Sequence, residues 1–293
     1  MATGLCAGLC SPLPWGMATA LAQGSGPGKA AKAKPAVVKP RPPAPAKPVA
    51  TKPLPSAYEI LLTFDDGPRV DTTPKVLDAL DQYNIKSVFF VNGVRFSARG
   101  QERAKDLLRE TIKRGHIVGN HTVHHYFLCG KRGPIVGEKE ILDNAAMIEQ
   151  VIGTKPPLFR TPFGSHCASL SATLHKLNIN PIGWDIDPED WKLQDAEKIY
   201  AFMVQTLKTL RRPRSIVLFH DVQPATVEML PRLLKWIADE NIRRASAPGP
   251  QGVREPPIKI IDYQYLLAEQ KQKGAAPTPN PSPVPTPNPN PAA

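Results

Sequence analysis

No acidic residue occurs in the stretch 23–56, although the chain of 293 residues carries 26. The stretch is almost entirely Gly, Ala, Lys, Pro and Val, and its six lysines and Arg41 hold +7 of the net charge of +11. The remainder is left near +4, too small a surplus for a basic nucleic-acid groove, so no nucleic-acid partner is expected. Neither this stretch nor the Pro- and Asn-rich end, 271–293, has the apolar content to offset the entropy of ordering. They are expected to be a disordered linker and tail. Long apolar runs are missing too. Beyond the first two dozen residues, nowhere do roughly 18 clean apolar residues follow one another, which excludes a membrane-spanning helix in the body of the chain. A Gly-rich dinucleotide or phosphate loop is absent after every strand-like segment, which speaks against a nucleotide cofactor.

The first 22 residues carry no charged side chain and are moderately apolar, and Ala20-Leu21-Ala22 before Gln23 has the form of an export cleavage site. A basic leading segment is missing, and Pro12, Pro14 and Gly16 interrupt the run. Residues 1–22 are read as a signal peptide with a truncated start, against the alternative of a disordered leader. The rest would be exported to the periplasm, the cell envelope or the medium.

What remains, 57–270, has the size of a single α/β domain. Strand-like segments at 59–64, 87–91, 117–118, 158–159, 181–184, 216–219 and 258–261 alternate with helix-like ones. The first helix is expected to take Thr73 as its cap and Pro74 as its first residue. About seven βα units with short connections imply a parallel sheet covered by helices. A distorted (β/α) barrel is the expected form, with an open doubly wound sheet as the alternative.

The polar clusters directly follow strands, which would gather them at one end of the sheet. The first strand ends in Asp65 and Asp66, whose mutual repulsion and desolvation demand compensation. A metal on one would leave the other free as a base. In the stretch 119–125, His121 and His125 stand four apart, so a helical turn would project both imidazoles from one face. His124 would point elsewhere and be structural. Two imidazoles and a carboxylate make a catalytic type of ligand set, with positions left for water and substrate. Arg160 could hold a carboxylate ionised or serve as a structural ion pair. The turn Pro162-Phe163-Gly164 could aim a backbone N–H at an oxyanion. The stretch 184–191 sets four acids between two tryptophans. There Trp191 offers a ring face to a sugar, and Asp190 could orient an imidazole. Finally, a buried strand ends on His220, a candidate general acid or a hydrogen-bonded structural histidine.

Taken in order, Thr63-Phe64-Asp65-Asp66-Gly67, His121-Thr122-x-x-His125, Arg160-x-Pro162-Phe163-Gly164, Asp187-x-x-Asp190-Trp191 and Leu218-x-His220 resemble five motifs of one family. It is that of the polysaccharide deacetylases, also called carbohydrate esterase family four or the NodB-homology domain. The resemblance implies that Asp66, His121 and His125 bind a divalent metal, usually zinc. It implies that Asp65 is the general base for the attacking water and that Arg160 pairs with Asp65. The Phe163 N–H would help hold the oxyanion, and Asp190 would tune His220, which protonates the departing amine. Trp191 and Leu218 would line a pocket for the acetyl methyl. The family often has Tyr where this chain has Phe163, a change that action through the backbone would tolerate.

The implied activity is metal-dependent removal of N-acetyl groups from N-acetylglucosamine-type residues of a polysaccharide, by a monomer. Peptidoglycan is the first expectation, a chitin-like oligosaccharide or exopolysaccharide the next. Two rivals remain: a noncatalytic glycan- or wall-binding protein of the same fold, and an amidase or esterase for another acyl substrate. A noncatalytic chain would be marked by a lost ligand or base, and none is lost. Cys6 and Cys10 would leave with the signal peptide, and Cys129 and Cys167 lie just beyond the His and Arg motifs. A disulfide between those two loops, or two free thiols, are the alternatives in an exported protein.

Overall fold

Strand β1 (Tyr58–Asp65) is the spine to which the other strands attach. The computed structural model describes residues 54–246 and 252–273. The expected leader 1–22, the linker as far as residue 53 and the tail from residue 274 lie outside the described residues. β1 pairs in parallel with β2 (Val88–Val91) near its C-terminal end and with β4 (Arg214–His220) along nearly its whole length. β3 (Ile117–Asn120) follows β2, and β5 (Ile258–Ile260) pairs with the first residues of β1. The helices are α1 (Thr73–Asp81), α2 (Glu102–Lys113), α3 (Gly133–Ile152), α4 (Ala168–Lys176), the one-turn α5 (Asp190–Leu193), α6 (Ala196–Lys208), α7 (Pro224–Ser246) and α8 (Gln264–Lys273). The expected domain end at 270 thus falls inside α8.

Alternation along β1 explains its near-continuous apolar run. Ile60, Leu62 and Phe64 face the helices and pack with Val76, Leu77 and Leu80 of α1 and with Ile199 and Leu230 of α6 and α7. Phe64 is stacked between Phe89 and Phe219, with centroids 5.0 and 5.9 Å away. Leu61 faces the other way, into a second cluster with Val88, Phe90, Leu158, Ile182 and Leu266. Thr63 and Asp65 continue that inner face toward the C-terminal end of the sheet.

The sheet is parallel, with the helices of an α/β fold, but it is not a closed barrel. Two expected strands do not form. In the expected strand 158–159 only Phe159 makes a bridge, to Asn120; the expected strand 181–184 makes none, and the bridge from Ile186 to Val217 falls two residues beyond it. Prolines 156, 157, 162 and 181 deprive these segments of ladder donors. In addition, Arg160 Nε and Nη2 donate to the carbonyls of Ile182 and Gly183 at 3.1 and 3.0 Å. A side chain thereby takes acceptors that a neighbouring strand would have used. Five strands, not seven, result among the described residues.

The start of α1 also differs. Thr72 is the capping position, and Thr73 lies inside the first turn with Pro74. The Thr73 hydroxyl accepts from Arg69 N at 2.8 Å and donates to the Asp221 carboxylate. It ties the loop after β1 to the end of β4.

Candidate active site

Strand register assembles the site. Asp65 stands opposite Phe90 on one side and His220 on the other, and Val91 stands opposite Asn120. The chain leaves β1, β3 and β4 at one level, carrying Asp66, His121 and Asp221 with it. Asp66 then takes a left-handed conformation, φ +74°, while its N–H donates to Phe90 O at 3.1 Å. The next residue must be small, because a Cβ on Gly67 would run into the Asp221 carboxylate.

His121 and His125 come together, but not on a helical turn. Residues 121–128 form an irregular loop in which Thr122 and His125 are left-handed, φ +68° and +58°. Buried amides hold it. Asn120 Oδ1 accepts from Thr122 N and from Asn144 Nδ2 at 2.9 and 2.8 Å, and Asn92 Nδ2 donates to His121 O at 2.6 Å. His124 turns away to Glu140, its Nδ1 2.6 Å from Oε1 and its N–H donating to Oε2 at 2.8 Å.

Asp66 Oδ1 lies 3.6 Å from His121 Nε2 and 3.3 Å from His125 Nε2. The three donor atoms lie within 4.8 Å of one another, spacings that an ion about 2 Å from each would fit. Asp66 Oδ1 is buried without a hydrogen-bond partner, an expensive state unless a cation meets it. His121 Nδ1 is 2.9 Å from Arg160 O, which fixes that nitrogen as the donor and turns the lone pair of Nε2 toward Asp66. Burial, then the charge of His125, pushes His121 down to about 3, so it is the neutral imidazole a metal requires. The residues present fit a divalent ion.

Asp65 is buried beside this group. Its Oδ1 accepts from Arg160 Nη1 at 2.8 Å, and its Oδ2 lies 3.5 Å from His121 Nε2. Burial pushes the carboxyl up, and Arg160 opposes the shift. The Arg160 guanidinium has no exposed surface and lies 4.3 Å from the Phe90 ring centre. Besides Asp65, Nη1 also donates to Thr63 Oγ1 at 2.8 Å, and the Thr63 hydroxyl in turn donates to Val217 O at 2.7 Å.

Across the site, His220 Nδ1 is 2.7 Å from Asp190 Oδ1, and the His220 N–H donates to Asp190 Oδ2 at 2.7 Å. The Thr226 hydroxyl and the Trp191 N–H also donate to Asp190, at 2.5 and 2.9 Å. With its Nδ1 side held, His220 turns Nε2 toward the site, 4.0 Å from Asp66 Oδ2. Burial alone would lower the pKa of this imidazole, but the hydrogen bond and charge of Asp190, followed by Asp66 and Asp65, raise it to about 9. The raised value stabilises the fold below pH 6.5, and that contribution is lost as pH rises through about 9. In Asp190→Asn the imidazole should therefore titrate well below wild type, and the alkaline loss of stability should flatten. Histidine NMR titration paired with urea unfolding at several pH values reads both; an unmoved His220 would refute the assignment.

The other expected residues sit around this centre. Phe163 lies in a 3₁₀ turn, Pro162–Gly164, at φ +57°, and its ring meets His125 edge to face at 4.5 Å. Leu218 is buried two positions before His220 and shares its face of β4. Trp191 is exposed at the rim, in α5. Cys129 and Cys167 are joined, with Cα atoms 5.9 Å apart. Residues the sequence did not single out include Thr226 and the buried amides of Asn120 and Asn144. Thr226 lies six positions beyond His220, and no motif marks it. Thr63 lies within a motif but had no role.

The sequence model described as polysaccharide deacetylase matches residues 54–182. The chain is 32% identical over 189 residues to a peptidoglycan-N-acetylglucosamine deacetylase of Bacillus cereus, covering 63% of this chain and 84% of that one. A chitooligosaccharide deacetylase of Bradyrhizobium is 31% identical over 165 residues, 56% of this chain and 71% of the relative. Peptidoglycan-N-acetylmuramic acid deacetylase PdaC of Bacillus subtilis is 31% identical over 186 residues, and the chain spans only 37% of its length. The solved structure of PdaC superposes with a TM-score of 0.58 at 26% identity, over 74% of this chain and 93% of that one.

Proposed function

The chain belongs to the polysaccharide deacetylase family, and on that footing we propose that it removes N-acetyl groups from N-acetylglucosamine-type residues of an envelope polysaccharide. The observation that carries this reading is that Asp65, the donors Asp66, His121 and His125, and His220 Nε2 face one spot at the ends of β1, β3 and β4. A divalent ion held by those donors, zinc by the nature of the set, would polarise the acetamide carbonyl and acidify the attacking water. Asp65 takes the proton of that water, with Arg160 keeping its carboxylate oriented. The Phe163 N–H receives the developing oxyanion. His220 donates its Nε2 proton to the sugar nitrogen as the C–N bond breaks, because an amine anion is a poor leaving group. Asp190 holds the imidazole cationic for that step. Trp191 and Leu218 flank the acetyl methyl. The products are acetate and a free amine.

A carboxylate-bound, cationic His220 favours an amide over an ester, whose alkoxide leaves with less help. A complete donor, base and acid set disfavours a noncatalytic binding protein. Relatives near 31% identity act, by name, on peptidoglycan in one case and chitooligosaccharides in another, so overall similarity does not choose between them. The basic, Pro-rich stretch 23–56, read as a tether following an export signal, favours peptidoglycan. The catalytic domain would then be 57–270 between a linker and a tail. The test is acetate release from purified peptidoglycan, chitin oligosaccharides and exopolysaccharide, after chelation and after metals are returned. Release should stop with chelator and return best with zinc; release that survives complete chelation overturns the reading.

A further inference from the structure

Phe127 and Phe163 meet edge to face with centroids 6.2 Å apart, yet remain 45% and 40% exposed. Phe163 in turn lies against His125, one of the three metal donors. An apolar aromatic surface therefore runs without a break from the reacting centre outward. A single exposed aromatic needs no explanation, but this pair is fixed from beneath. Leu128, next to Phe127, is buried with Ile141, Phe159, Leu170 and Leu174. The Cys129–Cys167 bridge joins the two loops that carry the rings. Gly130 lies under the Phe127 ring, where a Cβ would stand 3.3 Å from its edge.

We propose that Phe127 and Phe163 form a stacking subsite for a sugar residue adjoining the one deacetylated, with the Cys129–Cys167 bridge keeping the two rings in place. A hexose ring offers an apolar face of C–H groups, which suits a rigid π-face left open to solvent. Continuity with the site identifies the occupant as the neighbouring sugar of the same polymer, because the aromatic wall begins against the metal donor His125 and runs outward from it. The location of the reacting sugar rests on the deacetylase reading; the stacking itself does not.

The probes are penta-N-acetylchitopentaose and di-N-acetylchitobiose. Phe127→Ala should lower the pentamer-to-dimer ratio of kcat/KM about fivefold or more, and weaken pentamer binding by calorimetry to a similar degree. Phe127→Trp should restore both, and Cys129→Ser with Cys167→Ser should lower the ratio in the same direction. A Phe127→Ala protein with the wild-type ratio and Kd overturns the subsite, as does a wild-type protein that fails to bind the pentamer. Pentamer binding that depends on Phe127 but is never followed by acetate release would leave the subsite standing and sink the deacetylase reading.

Discussion

In Asp65→Asn, acetate release should fall by about three orders of magnitude while the protein keeps its metal. The proposed mechanism gives the two adjacent carboxylates different work, and the geometry separates them. Asp66 presents a buried, unpartnered oxygen to His121 and His125, whereas Asp65 turns Oδ1 to Arg160 and keeps Oδ2 toward the centre. An asparagine at 65 can still accept from Arg160 Nη1, so the loop and the donors beyond it keep their places. It cannot take a proton from water at neutral pH. Asp66→Asn makes the contrast, because it weakens an ion ligand and should lose metal and activity together. Metal content by mass spectrometry of the native protein, beside acetate release, reads both variants. A 65 variant retaining more than about a tenth of wild-type turnover removes Asp65 from the role of base.

The parts of this site visible in the sequence share a physical cause. β1 and β4 are buried along most of their length, and at the functional end of the sheet their apolar runs give way to Asp65 and His220. That contrast is local and can be seen in one dimension. The His121 loop is different. Spacing of four suggests a helical turn, but Asn144, 24 residues away, and Asn92, 29 residues away, hold Asn120 and the His121 carbonyl in a left-handed path. Long-range amide contacts leave no periodic trace. The open sheet has a similar origin, since Arg160 satisfies carbonyls at 182 and 183 that a strand would otherwise pair. Thr226 completes the Asp190 cradle from the first turn of α7, and nothing near it in sequence marks that task. Short-range pattern thus marked the residues that gather at the ends of β1, β3 and β4, and tertiary hydrogen bonding decided how they are held.

Replacing Arg160 by leucine should lower unfolding free energy by about 3–5 kcal/mol, because one change strands several buried partners at once. The guanidinium donates to Asp65, Thr63 and the carbonyls of Ile182 and Gly183, from a position with no solvent exposure. Leucine fills part of the volume and satisfies none of them. Asp65 would be left buried without its counter-charge, and burial would then drive its carboxyl further up. The variant should therefore lose activity even where it remains folded, since a protonated Asp65 cannot accept the water proton. Lysine isolates the two effects. A single ammonium restores the charge but not the planar fork that spans Asp65 on one side and two carbonyls on the other. In Arg160→Lys the acid limb of the pH–rate profile should move to higher pH than in wild type, and stability should recover only in part. Urea unfolding and acetate-release profiles measure the two quantities separately. A leucine variant within about 1 kcal/mol of wild type would show that the guanidinium is a spectator in the fold. A folded leucine variant whose residual activity keeps the wild-type acid limb would show that Asp65 does not depend on Arg160 for its ionised state.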